Sequence, residues 1–203
     1  MVIKYMDIDT DNITANDYKK QLLVKYNDQP LYIQTNWMTL AMYGVPKVDK
    51  YHQTEQSRRY IKLSLNDPDF TKFILKLDTF FSSDKFKTKY LNEKQQDMTC
   101  IPIYKSGSEN YAPFFKIKIP CDEHDNVLSE IFCKQSDGLE KCVIKNMDDL
   151  KTCFSHLCEY RLVFKVSKIW FMSKSYGVQL KLNKAHVKPN DKQANEIDFV
   201  ESD

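Results

Sequence analysis

Residues Cys158–Val187 read CEYRLVFKVSKIWFMSKSYGVQLKLNKAHV, and this stretch decides the fold. Two runs flank the polar turn Ser173-Lys174-Ser175. In the first, Leu162, Phe164 and Val166 alternate with Arg161, Val163 and Lys165. In the second, Tyr176, Val178, Leu180 and Leu182 alternate with Gly177, Gln179, Lys181 and Asn183. Alternation of this length predicts two strands with one buried face. The other face is cationic, and Trp170 stands among its lysines. The apolar set slips by one place near Ser167-Lys168, from Val166 to Ile169. A β-bulge there turns Trp170 outward; without one, Trp170 continues the buried face.

The chain outward from this hairpin is β-rich. Leu31–Thr35, Ser57–Leu65, Met98–Lys105, Pro113–Pro120 and Val127–Lys134 read as strands, the last two as a hairpin. Val2–Tyr5 and Leu22–Val24 could each start a strand, with a turn-rich polar segment from Asp7 to Asp17. Asn66-Asp67-Pro68-Asp69 stops one strand and starts a helix to about Ser82, with Phe70, Phe73, Ile74, Leu77, Phe80 and Phe81 at helical spacing. A second helical piece follows at Asp84–Leu91, and Asn146 caps a third from Met147. Strands joined by short turns argue for an antiparallel sheet. The expected fold is mainly β (α+β): a small antiparallel OB-like barrel with two or three helical insertions. It occupies residues 1–189, and 190–203 form a disordered acidic tail.

Length and composition suit one domain. With 4 Gly, a Gly-rich phosphate loop is nearly excluded, and no G-x-S-x-G, H-E-x-x-H or P-loop pattern appears. No catalytic residue, no cofactor and no enzyme activity is expected. Net charge is +2, but the tail holds five carboxylates against Lys192 alone, a net of −4 that leaves +6 on the remainder. A basic body points to anionic partners. No signal-like apolar stretch opens the sequence, and no apolar run suits a membrane span. The expectation is an intracellular protein with reduced thiols. The 6 Cys include two loose groupings, Cys121 with His124 and Cys153 with His156 and Cys158, but paired C-x2-C knuckles are missing. No metal site is expected.

Candidate binding residues follow from the strand faces. Tyr60 and Lys62, then Phe114, Lys116 and Lys118, then Lys165, Lys168 and Trp170 are cations and rings on the non-apolar side of three strands, and Tyr32 joins them from a fourth. Arg58, Lys174, Tyr176 and Lys181 complete the set. Lysines suit phosphates and rings suit bases, as single-stranded nucleic acid requires. The bland alternative is a solvated lysine face with Phe114 and Trp170 packed under loops. In the tail, Ile197 and Phe199 lie among carboxylates, either as a partner-docking peptide or as a solubilising terminus.

Four stretches, PLYIQT (30–35), YIKLSL (60–65) before a helix, APFFKIKIP (112–120) and SKIWFMSKSYGVQLKL (167–182), resemble in order and spacing the single-stranded DNA-binding proteins of nucleocytoplasmic large DNA viruses, which are OB-fold proteins. The resemblance loosely covers residues 20–187. It implies non-enzymatic, sequence-tolerant binding of single-stranded DNA in replication, recombination or repair, in host cytoplasm or nucleus. RNA is an alternative ligand, replication proteins are candidate partners for the tail, and a homo-oligomer is compatible. The competing reading, from another class, is a virion-assembly protein whose β-domain binds protein.

Overall fold

The computed structural model describes residues 2–135 and 138–190. The acidic tail, with Ile197 and Phe199, lies outside the described residues. In chain order the strands and helices are β1 Val2–Lys4, β2 Ile13–Tyr18, β3 Gln21–Tyr26, β4 Gln29–Gln34, β5 Met38–Thr39, β6 Tyr43–Gly44, α1 Glu55–Arg58, β7 Tyr60–Ser64, α2 Pro68–Ser82, α3 Asp84–Tyr90, α4 Glu93–Gln96, β8 Thr99–Ile101, β9 Phe114–Lys118, β10 Glu130–Gln135, β11 Gly138–Lys141, α5 Met147–Cys153, β12 Glu159–Phe171 and β13 Ser175–Lys188.

The β12–β13 hairpin is the spine. One edge of β12 takes β5, β4 and β3 in turn, all antiparallel. The free edge of β13 takes β8, β9 and β10, all parallel. Beyond these, β7 pairs β9 and β6 pairs β7 on one side, while β1 lies parallel to β4 on the other. All the strands belong to one sheet, whose main path runs from β1 to β6. Two expectations change here. The sheet is mixed, not antiparallel, because β8, β9 and β10 reach β13 through long connections and arrive running with it. It is also one large sheet and not a closed barrel: among the described residues no ladder joins the β1 and β6 ends of the path. The expected hairpin of residues 113–134 fails for the same reason. β10 pairs β13 and β11, and a lone Cys121–Val127 bridge links its approach to the segment after β9. The segment Asp7 to Asp17, expected as turn-rich, contributes residues 13–17 to β2, which pairs with β3.

One face of the sheet is covered by α2. Asp67 caps this helix, accepting from the N–H groups of Asp69 and Phe70, and Pro68 occupies its first turn. Its apolar stripe drives Phe70 against Tyr5, Phe115 and Phe164, at centroid distances of 5.2, 5.4 and 6.5 Å. Phe81 meets Phe86 of α3 edge-on at 5.2 Å. Asp78, on the same helix, accepts the N–H groups of Ile103 and Tyr104 at 2.6 and 2.8 Å, tying down the segment after β8. Burial holds its carboxyl above the usual range despite those bonds. With α2 on one side, the opposite side of β4, β12, β13, β9 and β7 is left to solvent. Among the described residues, no helix is long and apolar enough to cross a membrane.

Candidate nucleic-acid interface

Residues directly opposite one another in a ladder point to the same face. Following the pairs across the spine gives one transverse row: Tyr60 opposite Lys118, Lys118 opposite Lys181, Lys181 opposite Lys165, and Lys165 opposite Tyr32. Five strands thus contribute an aromatic at each end and three lysines between. At the usual interstrand spacing the row spans roughly 19 Å. Beside it, Lys62 stands opposite Lys116. Together these five strands contain nine lysines and arginines and a single carboxylate, Glu159, which Lys188 neutralises at 2.7 Å.

The bulge is present. Between Val166 and Lys168 the β12–β13 register shifts by one, leaving Ser167 as the extra residue. Val166, Ser167 and Ile169 are buried, while Lys168 and Trp170 face outward. A second shift, between Val163 and Phe164, places an extra residue, Asn183, in β13. Trp170 lies opposite Gly177, and its ring covers that glycine so closely that a methyl group there would clash with the ring carbons. Where β13 and β9 diverge, an open groove of ≈ 510 Å³ is lined by Arg59, Tyr60, Lys116, Lys118, Trp170 and Gln179, among others. Across Tyr60 a second depression of ≈ 520 Å³ continues past Tyr43, Lys47, His52, Lys62 and His156.

The electrostatics of the row are those of uncompensated like charge. Burial, then Lys118, Lys168 and Lys165, pulls Lys181 below the ordinary lysine range. Burial, then Lys62 and Lys105, does the same to Lys116. The ammonium groups rest on the rings: Lys116 over Tyr60 at 4.8 Å, Lys165 over Tyr32 at 5.7 Å and Lys62 over Phe114 at 5.3 Å. Tyr60 is oriented by its hydroxyl, 2.7 Å from His52 Nε2, whose Nδ1 lies 3.0 Å from Asp49. Phe114 is half-buried against Tyr43 at 4.9 Å, and Tyr43 stacks on the exposed Tyr111 at 6.2 Å.

Two candidates belong elsewhere. Arg58 is 0% exposed and sits in the interior, where its Nε donates to the Pro46 carbonyl and its guanidinium pairs with Glu55 at 2.6 Å and Asp148 at 2.5 Å. It anchors α1 to α5 and reaches no ligand. Tyr176 is also 0% exposed, and its hydroxyl donates to the Phe81 carbonyl at 2.6 Å. It holds the hairpin to the end of α2. Lys174 is exposed at the hairpin tip, where its carbonyl accepts from Thr99 N–H.

The sequence reading missed a second basic and aromatic stretch at the other end of the spine. Trp37, exposed in the β4–β5 connection, lies under the Arg161 guanidinium at 5.2 Å and the Lys188 ammonium at 4.1 Å. Arg161 stands opposite His186, and His186 opposite Phe132, over which Lys184 rests at 4.4 Å. Period-two alternation marks Arg161, Lys184 and His186 as outward, but nothing local brings Trp37 to them. It also missed Arg59, Tyr43 and a convergence of cysteines. Although no C-x2-C pair exists, the sulfur atoms of Cys133, Cys142 and Cys153 all lie within 4.8 Å of one another.

No protein-family model matches this chain, and no curated protein matches it. Among solved structures, the single-stranded DNA-binding protein from bacteriophage Enc34 is 11% identical over 92% of this chain and 95% of its own, with a TM-score of 0.48. Its C-terminal truncation is 11% identical over 89% and 97%, with a TM-score of 0.48. The same phage protein in complex with single-stranded DNA is 10% identical over 88% and 96%, with a TM-score of 0.44.

Proposed function

We propose that this protein binds single-stranded DNA, without catalysis, across the solvent face of the β7–β9–β13–β12–β4 strands. The observation that carries the reading is the row Tyr60–Lys118–Lys181–Lys165–Tyr32, three lysines between two rings on paired strands with no acidic residue among them. Phosphates neutralise the crowded lysines, and bases stack on the rings. In the free protein the ammonium groups already cover Tyr60 and Tyr32. Leaving an exposed ring costs a lysine about 0.5–1 kcal/mol, whereas a base stacked in its place contributes about 1–3 kcal/mol. The exchange therefore favours the nucleic acid and frees the lysine for the backbone. Nothing in the row reads base edges, so binding is sequence-tolerant, as replication, recombination or repair requires. The resemblance of residues 30–35, 60–65, 112–120 and 167–182 to large-DNA-virus proteins supports such a role.

Quenching of Trp170 and Trp37 fluorescence by oligo-dT, followed through a salt series, tests the proposal. Affinity should fall steeply with salt, and alanine at Lys118, Lys165 or Lys181 should each flatten the log–log slope by about 0.7. Oligo-U in parallel separates DNA from RNA preference. Binding absent at low salt, or a slope that ignores all three lysines, would overturn it and favour a protein-binding face.

A further inference from the structure

Three cysteines from separate parts of the chain meet beside the end of β13, where Cys133 pairs with Val187. Cys133 lies on β10, Cys142 directly follows β11, and Cys153 ends α5. Their sulfur atoms all lie within 4.8 Å of one another, with Cys133 and Cys153 3.6 Å apart. We infer that Cys133, Cys142 and Cys153 are a thiolate site for one zinc ion, which staples the β10–β11 ribbon to α5. A tetrahedral zinc with ordinary Zn–S bonds holds its sulfurs about 3.8 Å apart, close to the spacing found. A disulfide bonds two sulfurs at about 2.05 Å and leaves a third unexplained, whereas the three thiols converge jointly. Soft sulfur donors select zinc over magnesium or calcium. Cys142 and Cys153 are half-exposed, so water can fill the fourth position. Binding replaces three S–H bonds by three Zn–S bonds and releases the three protons to solvent.

Little apolar packing holds β11. Every residue of the strand is exposed, and Leu139 and Val143 point to solvent. By contrast, α5 is seated by its buried Met147 and Leu150 and by the Arg58–Asp148 pair, so a metal crosslink ties the exposed ribbon to a fixed helix.

The test uses the full chain, purified reduced and without chelator. We expect one equivalent of zinc by elemental analysis. After its removal, Co2+ should give the near-ultraviolet thiolate-to-cobalt charge-transfer band. Both signals should be lost in C142S and in C153S, whose half-exposed positions tolerate serine, and kept in C100S and C121S, whose sulfurs lie outside the cluster. Chelator should lower the melting temperature of the parent and not of C142S. Far-UV circular dichroism verifies that the variants fold. No charge-transfer band when Co2+ is added to the reduced, zinc-stripped parent would overturn the site, as would a band that survives the C142S/C153S double variant. A Cys133–Cys153 disulfide in the intact mass, with no cobalt band after reduction, would likewise exclude it.

Discussion

Trp170 and Gly177 act as a pair. The indole faces solvent only because Ser167 is inserted ahead of it, and it lies flat on the sheet only because the residue opposite has no side chain. Replacing Trp170 by alanine should weaken oligo-dT binding by about 1–3 kcal/mol, roughly 5- to 150-fold, with the melting temperature nearly unchanged. Gly177→Ala should do similar damage from the other strand, because its methyl group must push the ring aside; a shifted Trp emission before DNA is added would report it. Unchanged affinity in both variants would remove Trp170 from the interface. Arg58 offers the opposite contrast. Its partners are partly solvated, with the Asp148 side chain 65% exposed, so Arg58→Met should cost stability of only about 1–3 kcal/mol. The salt slope of DNA binding should not move. The hydrogen bond from Arg58 holds the Asp148 carboxyl below its usual range. That contribution is present above the ordinary carboxylate range and is lost as pH falls through the depressed value. Acid melts of the parent and of Asp148→Asn should therefore converge at low pH.

At the scale of elements, α2 and the lysine row sit on opposite sides of the same strands. Phe115 faces the helix while Lys116 faces solvent, one residue away. Phe70→Ala should cost about 3–5 kcal/mol in urea melts through the cavity left among Tyr5, Phe115 and Phe164. Binding by the folded fraction should stay intact. This two-sidedness is also why so much was legible beforehand. Alternation in residues 60–64, 114–118 and 159–166 assigns Tyr60, Lys62, Lys116, Lys118 and Lys165 to the outer face with no knowledge of pairing, and Lys168 joins them only through the bulge at Ser167. The period of Phe70, Phe73, Ile74 and Leu77 gives α2, and Asp67-Pro68 gives its start. What alternation cannot encode is who pairs with whom. Arg58 reads as a surface cation because its partner Asp148 lies far along the chain. Tyr176 sits on the apolar phase of its strand, and its phase was the better guide than its residue type. Trp37 meets Arg161, and Cys133 meets Cys153, only through sheet order. Parallel pairing of β8, β9 and β10 has no local signature either, so an antiparallel barrel was the natural expectation.

Over the whole molecule, the outer face is a field of one sign held in place by the packing beneath it. Lys181 and Lys116 lie below the normal lysine range in the free protein, and a phosphate beside them raises them again. Binding is thus linked to protonation. Affinity for oligo-dT should decline as pH rises through the depressed values, earlier than for an isolated lysine. Arginine at both positions should abolish that decline while preserving the salt slope. An affinity flat with alkaline pH in the parent would show that these two lysines carry no share of the binding.

The arrangement of the spine has a consequence for biosynthesis. Every strand that lies parallel on β13 is translated before it, so β8, β9 and β10 leave the ribosome with their edges open and wait for residues 175–188. Nascent chains stalled ahead of that segment should expose those edges to chaperones, and the sheet should close late, in one step, when the last long strand emerges.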